Sequence, residues 1–453
     1  MSLDIACQDS ICALSTPQGY GALAIVRISG PLTMQIFSQI FRKHKGDIEA
    51  MRAMHGAVIS HDGSIIDDVM ALLFKGKNSF TGEDSAEIHC HGNPLIIDQI
   101  IERVCSLGAR LAKPGEFSMR SVLNGKIDLV QAESIADLIH AETTAAKEAA
   151  LQGVRGGLAD KTKSIKEMII SVLAEMEARM DFPDEELGSY DKNFLLGRID
   201  EGVLLLKKLL DGADYGIKLH EGARIVICGL PNAGKSTLLN QLSGQERAIV
   251  HDSAGTTRDV LEARIDLDGV PVVLVDVAGI REVDLENDIE KIGIDKALDE
   301  LDKAHAVIWL GDGGSEHPFS DVRINEKLKD IPAPLLYVLN KSDVALKNSS
   351  DVLTISAKYG HNIDELKRAL KKMIVKETTS VREIYVTRAR QREELNEALN
   401  GLKESYRALE LSLVDEVVAS ELRRAGLAFE RLFGMDLSES VLDTIFSQFC
   451  IGK

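Results

Sequence analysis

The run Gly229-Leu230-Pro231-Asn232-Ala233-Gly234-Lys235-Ser236 fits the G-x-x-x-x-G-K-[ST] pattern, and no other stretch narrows the fold as far. Its chemistry works only where a strand delivers the loop and a helix leaves it, because backbone N–H groups and the helix N-terminus must converge on phosphate oxygens. Both neighbours are present. Arg224-Ile225-Val226-Ile227-Cys228 reads as a short apolar strand, and Thr237-Leu238-Leu239-Asn240-Gln241-Leu242 opens a helix. The glycines admit close backbone approach, and Asn232, Ala233, Gly234 and Thr237 belong to the cradle. Lys235 is placed to reach the β- and γ-phosphates, and the Ser236 hydroxyl to bind Mg²⁺.

Base choice follows from Asn340-Lys341-Ser342-Asp343 further along the chain. A carboxylate at Asp343 can accept from both N1–H and the 2-amino group of guanine, whereas adenine would leave that charge without donors. Asn340 and Lys341 are expected beside the base edge and sugar. Ser356-Ala357-Lys358, after the apolar Val352-Leu353-Thr354-Ile355, resembles a loop that closes over guanine. Between the motifs, Val272-Val273-Leu274-Val275 predicts a buried parallel strand delivering Asp276-Val277-Ala278-Gly279, a D-x-x-G loop resembling switch II of GTPases. Gly255-Thr256-Thr257-Arg258-Asp259 resembles switch I. With His251, Asp252, Ser253 and Ala254 it is expected to line the nucleotide. Thr257 is the natural second hydroxyl ligand of Mg²⁺, and Asp276 would hold a metal-bound water. Ile280 follows Gly279 where Ras-like enzymes carry the glutamine that orients the attacking water. An aliphatic side chain cannot do that, so the water-positioning and charge-neutralising groups must come from elsewhere.

A chain of 453 residues, 45% hydrophobic, has room for roughly three domains with real cores. Its net charge of −18 argues against non-specific coating of nucleic acid, which needs many phosphate-neutralising cations. Cys7, Cys12, Cys90, Cys105, Cys228 and Cys450 form no C-x-x-C pair or disulfide framework and read as reduced thiols of a cytoplasmic protein. Met1-Ser2-Leu3-Asp4 does not begin a signal peptide, and no apolar run is long enough for a membrane span.

The expected fold is α/β plus all-α. Residues 1–122 alternate apolar runs and Gly-rich turns, which suggests a small α/β domain. In residues 123–216 apolar side chains recur every three or four positions, predicting long helices. Residues 217–377 alternate strands and helices as a parallel sheet requires. Helix returns over 378–453, where Leu395, Leu399, Leu402, Tyr406, Leu409 and Leu413 form a stripe broken by Gly401. The stripe is shorter than a coiled coil needs and reads as the core face of a bundle. Gly401 costs about 1 kcal/mol there relative to Ala. The simplest arrangement inserts the G domain into a loop of one discontinuous helical domain. His89-Cys90-His91 invites a metal reading, but adjacent residues on a strand face opposite ways and cannot easily share one ion.

Four flanking segments are absent from a generic GTPase: residues 21–30, GALAIVRISG; 78–84, NSFTGED; KPGEFS at 113–118 with NGKIDL at 124–129; and the terminal Phe449-Cys450-Ile451-Gly452-Lys453. With them the chain resembles the MnmE (TrmE) family of tRNA-modification GTPases over essentially its full length. The resemblance implies a dimer-forming N-terminal α/β domain that binds a one-carbon tetrahydrofolate (5,10-methylene or 5-formyl), a discontinuous helical domain and an inserted Ras-like P-loop G domain. It also implies partnership with an FAD-containing protein, MnmG, in building a carboxymethylaminomethyl or aminomethyl group on C5 of the tRNA wobble uridine. A pterin presents adjacent N–H and NH₂ donors that Glu87 can accept, and its glutamate tail needs cations such as Arg27, Lys126 or Lys453. Cys450, beside Lys453, is either a reactive thiol or an inert one.

The resemblance also implies an answer to the missing glutamine. A potassium ion beside the phosphates takes the place of an arginine finger, with Asn232 as a ligand and others at His251, Ser253 and Thr256. Water positioning falls to Glu290, ahead of Lys291-Ile292-Gly293-Ile294, or to Glu286. Potassium would then drive association of two G domains. The alternative function is a ribosome-assembly or RNA-chaperone GTPase, which shares every G-domain motif but is expected to carry a basic RNA-binding appendage.

Overall fold

The computed structural model describes residues 9–181, 191–245, 261–276, 300–320, 322–344, 352–375, 385–435, 437–447, 449 and 451–452. They divide into two compact units, Met1–Ala136 with Gly426–Lys453, and Asp137–Ala425.

The first unit is built on a seven-stranded sheet: β1 (Ser10–Leu14), β2 (Gly21–Ser29), β3 (Phe41–Lys43), β4 (Met54–Ile59), β5 (Ile65–Phe74), β6 (Ser85–Gly92) and β7 (Ala109–Leu111). Their order is β3-β4-β5-β6-β2-β1-β7, antiparallel except for β1 beside β7. Two-residue alternation assigns the faces. Ala24, Val26 and Ile28 of β2 and Ala86, Ile88 and Cys90 of β6 are buried in one core with Phe37 and Ile40 of α1 (Thr33–Ile40) and Ile97 and Ile100 of α2 (Pro94–Cys105). Arg27, Glu87 and His89 therefore occupy the opposite face. His89, Cys90 and His91 do not converge: Cys90 is in the core, and His91 Nδ1 lies 2.8 Å from Asp67 Oδ1. The helix α3 (Glu116–Leu123) and the start of α4 (Leu129–His140) pack on the C-terminal helix Glu439–Phe446 through Leu129, Ala132, Leu442, Phe446 and Phe449.

The second unit runs through α5 (Thr144–Val154), α6 (Gly157–Asp181), α7 (Lys192–Asp211) and α8 (Ala213–Glu221) before its sheet begins. That sheet contains β8 (Ala223–Gly229), β9 (Leu261–Leu267), β10 (Val270–Asp276), β11 (Ala306–Asp312), β12 (Leu335–Asn340) and β13 (Leu353–Thr354), ordered β13-β12-β11-β8-β10-β9. Only β9 runs antiparallel. Ile225 and Ile227 feed one core, with Leu238 and Leu242 of α9 (Lys235–Gln245) and Leu366 of α11 (Ile363–Ile374). Val226 and Cys228 feed the other, with Trp309, on the side where partly buried Leu328 of α10 (Val322–Asp330) packs. Burial on both faces is why the strands read as continuous apolar runs.

Helix then returns as α12 (Ala389–Glu410) and α13 (Asp415–Phe433), with Glu439–Phe446 the last helix, α14. α12 packs along α7, so helical segments on both sides of the G domain form one bundle. Leu395, Leu402 and Leu409 are almost wholly buried, whereas Leu413 lies beyond the helix end and is 46% exposed. Gly401 has a packing reason: a β-carbon there would stand 2.8 Å from the Glu421 carbonyl of α13, so only glycine lets the two helices approach this closely.

One carboxylate ties the halves together. Asp137 Oδ1 accepts from Arg388 Nη2 at 2.5 Å and lies 3.1 Å from His220 Nδ1, while Oδ2 accepts from the Thr387 hydroxyl at 3.3 Å. Burial raises the Asp137 pKa, but the His220 and Arg388 contacts outweigh it and hold the carboxyl below its ordinary range. A depressed carboxylate contributes stability above its unfolded pKa and loses it as pH falls through the folded value. We predict that Asp137→Ala costs about 3 kcal/mol at neutral pH by stranding Arg388. In thermal melts the gap between variant and wild type should narrow as pH drops below the carboxylate range; a gap that stays constant with pH would disprove the linkage.

Candidate functional site

The loop after β8 carries the G-x-x-x-x-G-K-S pattern, and α9 begins at Lys235, so the strand-loop-helix context is realised. Asn232 turns the chain with φ 62°, and Gly234 follows at φ 93°. A side chain at Gly234 would strike the Asn340 carboxamide, so glycine here answers both to conformation and to space. Lys235 is 7% exposed and donates its ammonium to the carbonyls of Gly229 and Leu230, each at 3.0 Å, across the loop it closes. The Ser236 hydroxyl donates to Asp276 Oδ2 at 2.8 Å, bringing together the two groups expected around Mg²⁺. Asp276 is fully buried at the end of β10.

Asn340, 3% exposed at the end of β12, joins this loop to the next. Its Nδ2 donates to the Ala233 carbonyl at 2.8 Å, and its Oδ1 accepts from the Ala357 N–H at 2.9 Å. Lys341, at φ 65°, reaches Asp312 Oδ2 at 2.7 Å. Burial raises the Asp312 pKa, yet Lys341 and the Gly314 N–H outweigh it and keep the carboxyl low. Sequence reading missed Asp312; its place at the end of β11, one strand from Asn340 in register, was the available signal. Ser356 donates to Asp343 Oδ1 at 2.6 Å, which orients that carboxylate and lowers its pKa. Ser356 and Ala357 are buried and Lys358 is exposed. Phosphate loop, Asn340-Lys341-Ser342-Asp343 and Ser356-Ala357-Lys358 are thus one hydrogen-bonded assembly.

In the first unit, Arg27 donates through Nε at 3.1 Å and Nη2 at 2.9 Å to Glu87 Oε1. Its guanidinium carbon lies 5.7 Å from the Phe80 ring centre and 5.6 Å from that of Phe117. The Gly452 carbonyl accepts from the Ser15 hydroxyl at 3.0 Å and from Arg27 Nη1 at 3.4 Å, so the C-terminal segment reaches the same place. His89 Nε2 stands 3.5 Å from Glu87 Oε2 without hydrogen-bond geometry. Lys126 lies across the adjoining loop: its ammonium donates to the Lys77 carbonyl at 2.5 Å, and Asn124 Nδ2 donates to the Thr81 carbonyl at 2.7 Å. Beneath, Arg120 is 1% exposed and binds Glu83 at 3.2 Å, Glu116 at 3.0 Å and Asp9 at 2.6 Å, while Ser29 donates to Glu83 at 2.7 Å.

Residues 10–126 match the family described as GTP-binding protein TrmE N-terminus, and 129–450 match the MnmE helical domain. This chain belongs to the MnmE family. Curated relatives named tRNA modification GTPase MnmE align with it over nearly its full length. The Cytophaga hutchinsonii protein is 36% identical over 98% of both chains, that of Chlamydia felis 40% over 98% of this chain and 99% of its own, and that of Pseudomonas aeruginosa 38% over 99% and 100%. As an MnmE family member with a G domain of this geometry, the chain is a GTPase. Its α/β and all-α fold, with the Ras-like G domain set between segments of a helical domain, agrees with the sequence expectation. His251, Asp252, Ser253, Ala254, Gly255, Thr256, Thr257, Val277, Ala278, Gly279, Ile280, Glu286, Glu290, Cys450 and Lys453 lie outside the described residues.

Proposed function

We propose that this protein is a potassium-activated GTPase that modifies the wobble uridine of tRNA. Supporting this, the family match runs through the N-terminal and helical domains and not only the G domain, which a ribosome-assembly or RNA-chaperone GTPase would not share. An FAD-containing MnmG-type partner, a one-carbon tetrahydrofolate and a homodimer complete the reading. Among the described residues no helix is long and apolar enough to cross a membrane, and a cytoplasmic site of action suits a tRNA substrate. Mass spectrometry of tRNA from cells lacking the chain tests the whole: the wobble uridine should lose its aminomethyl-type group at C5. An unchanged nucleoside profile with defective ribosomal subunits would favour the alternative.

In this reading Asp343 receives the guanine N1–H and amino group, with its orientation set by Ser356. Lys235 and the loop N–H groups would neutralise phosphate charge, and Ser236 with Thr257 would hold Mg²⁺, a cation that would stabilise charge on the transferring phosphoryl group. Glu290, or Glu286, orients the attacking water. Asn232, exposed at the left-handed turn of the loop, is available as a potassium ligand together with His251, Ser253 and Thr256. For folate, the Arg27 hydrogen bonds both fall on Oε1 of Glu87, which leaves Oε2 as acceptor for pterin donors. Arg27, Lys126 and Lys453 are the candidate cations for the glutamate tail, and Cys450 is a candidate reactive thiol.

Two substitutions test the G site. Asp343→Asn exchanges an acceptor for a donor that matches the 2-carbonyl of xanthine, so the variant should lose GTP turnover and gain XTP turnover; retained GTP affinity would remove the base assignment. Asn232→Ala should abolish stimulation by potassium over sodium at matched ionic strength while GTP binding persists through Lys235. Equal wild-type rates in the two salts would overturn the cation mechanism.

A further inference from the structure

The sheet face of the first unit opposite the α1 and α2 core carries a second, exposed cluster of chemistry at its β3 edge, formed by His44, His55 and Asp68. Backbone register puts it there. Lys43 pairs with Gly56 and the His44 N–H donates to the His55 carbonyl at 3.2 Å, so the two imidazoles stand directly opposite on one face. Ala57 pairs with Asp68, and His55 lies two residues before Ala57, so Asp68 is the diagonal neighbour on that same face. The imidazole rings are 4.6 Å apart at 62°, and His44 Nε2 lies 2.9 Å from Asp68 Oδ1. One ligand atom from each of the three residues falls within 4.8 Å of the others, and all three are open to solvent.

We propose that His44, His55 and Asp68 bind a divalent transition-metal ion of the zinc class. Two imidazole nitrogens and one carboxylate oxygen supply three ligands from one side, which is the donor set of an open zinc site with water completing the shell. Nitrogen donors select zinc, nickel or copper and disfavour calcium and magnesium, so the site is chemically distinct from the Mg²⁺ position at the nucleotide. In a tetrahedral site with bonds of about 2.0–2.1 Å, ligand atoms stand roughly 3.4 Å apart. Exposed side chains can reach that spacing by small rotations, and the His44–Asp68 pair is already inside it. Because β3 is a three-residue edge strand, the ion would clip the edge to the two strands beside it. The competing reading is an ordinary surface His–Asp pair with a neighbouring imidazole.

The test is calorimetric titration of the full chain, loaded with Mg²⁺ and GDP, with zinc chloride. Wild type should take one more zinc ion per chain than the His44→Ala/His55→Ala double variant, and zinc should raise its melting temperature by linkage. Asp68→Asn should weaken this site at least as much as loss of an outer-shell partner does, about 10–100-fold. Calcium chloride should give no corresponding heat. GTP turnover and zinc-free melting of the variants should match wild type, which verifies that they fold. Equal zinc stoichiometry and affinity in wild type and double variant, or no zinc uptake by wild type, would overturn the proposal and leave the surface pair.

Discussion

The carboxamide of Asn340 is the joint on which the nucleotide site depends. It spends its donor on the phosphate loop at Ala233 and its acceptor on the base loop at Ala357, and is buried between them. A buried amide with both ends satisfied adds direction as well as stability, since neither loop can shift without stranding a polar group. Gly234 is the complement of this arrangement, because any side chain there would occupy the space of the carboxamide. Lys341 and Asp343, on the same segment, are in turn held by Asp312 and Ser356. Two motifs far apart in the chain are thus positioned by one residue and its neighbours.

A comparable role falls to Arg120 in the first unit. Three of the segments that carry the family resemblance contribute to one buried network: Ser29 from the first, Glu83 from the second and Glu116 from the third. Removing such a guanidinium from water is costly, and the surrounding carboxylates compensate only because several bind it at once. Phe117 lies between Glu116 and Arg120 on α3, and its ring and that of Phe80 flank Arg27. The glutamates of these segments, Glu83 and Glu116, are engaged with Arg120, whereas Glu87 pairs with Arg27, a division that motif matching alone does not reveal.

Within the second unit, the helical segments before and after the G domain need a common core and a polar tie. The core is the leucine stripe of α12 against α7, while the close crossing at Gly401 packs α12 on α13. Asp137 provides the tie, with partners from the helix just ahead of the G-domain sheet and from the chain after the G domain. Gly401, unfavourable by helix propensity, is favoured by the contact it permits, which is tertiary context overriding a local preference.

The sequence by itself determined the nucleotide site's position and chemical type. A glycine-rich loop between an apolar strand and a helix has few other uses, and the residues of the motif must be adjacent in the chain to curl around phosphate. Periodicity was also enough for the doubly buried strands and for the leucine face of α12, because burial on a sheet or helix repeats at fixed spacing. Tertiary structure alone decided the contacts between residues remote in sequence: Asp312 with Lys341, Asn340 with Ala233, the Gly452 carbonyl with Arg27, and His44 opposite His55. No local pattern encodes them. They arise from strand order, register and helix crossing, which are set by the packing of whole elements and become visible only once the chain is folded.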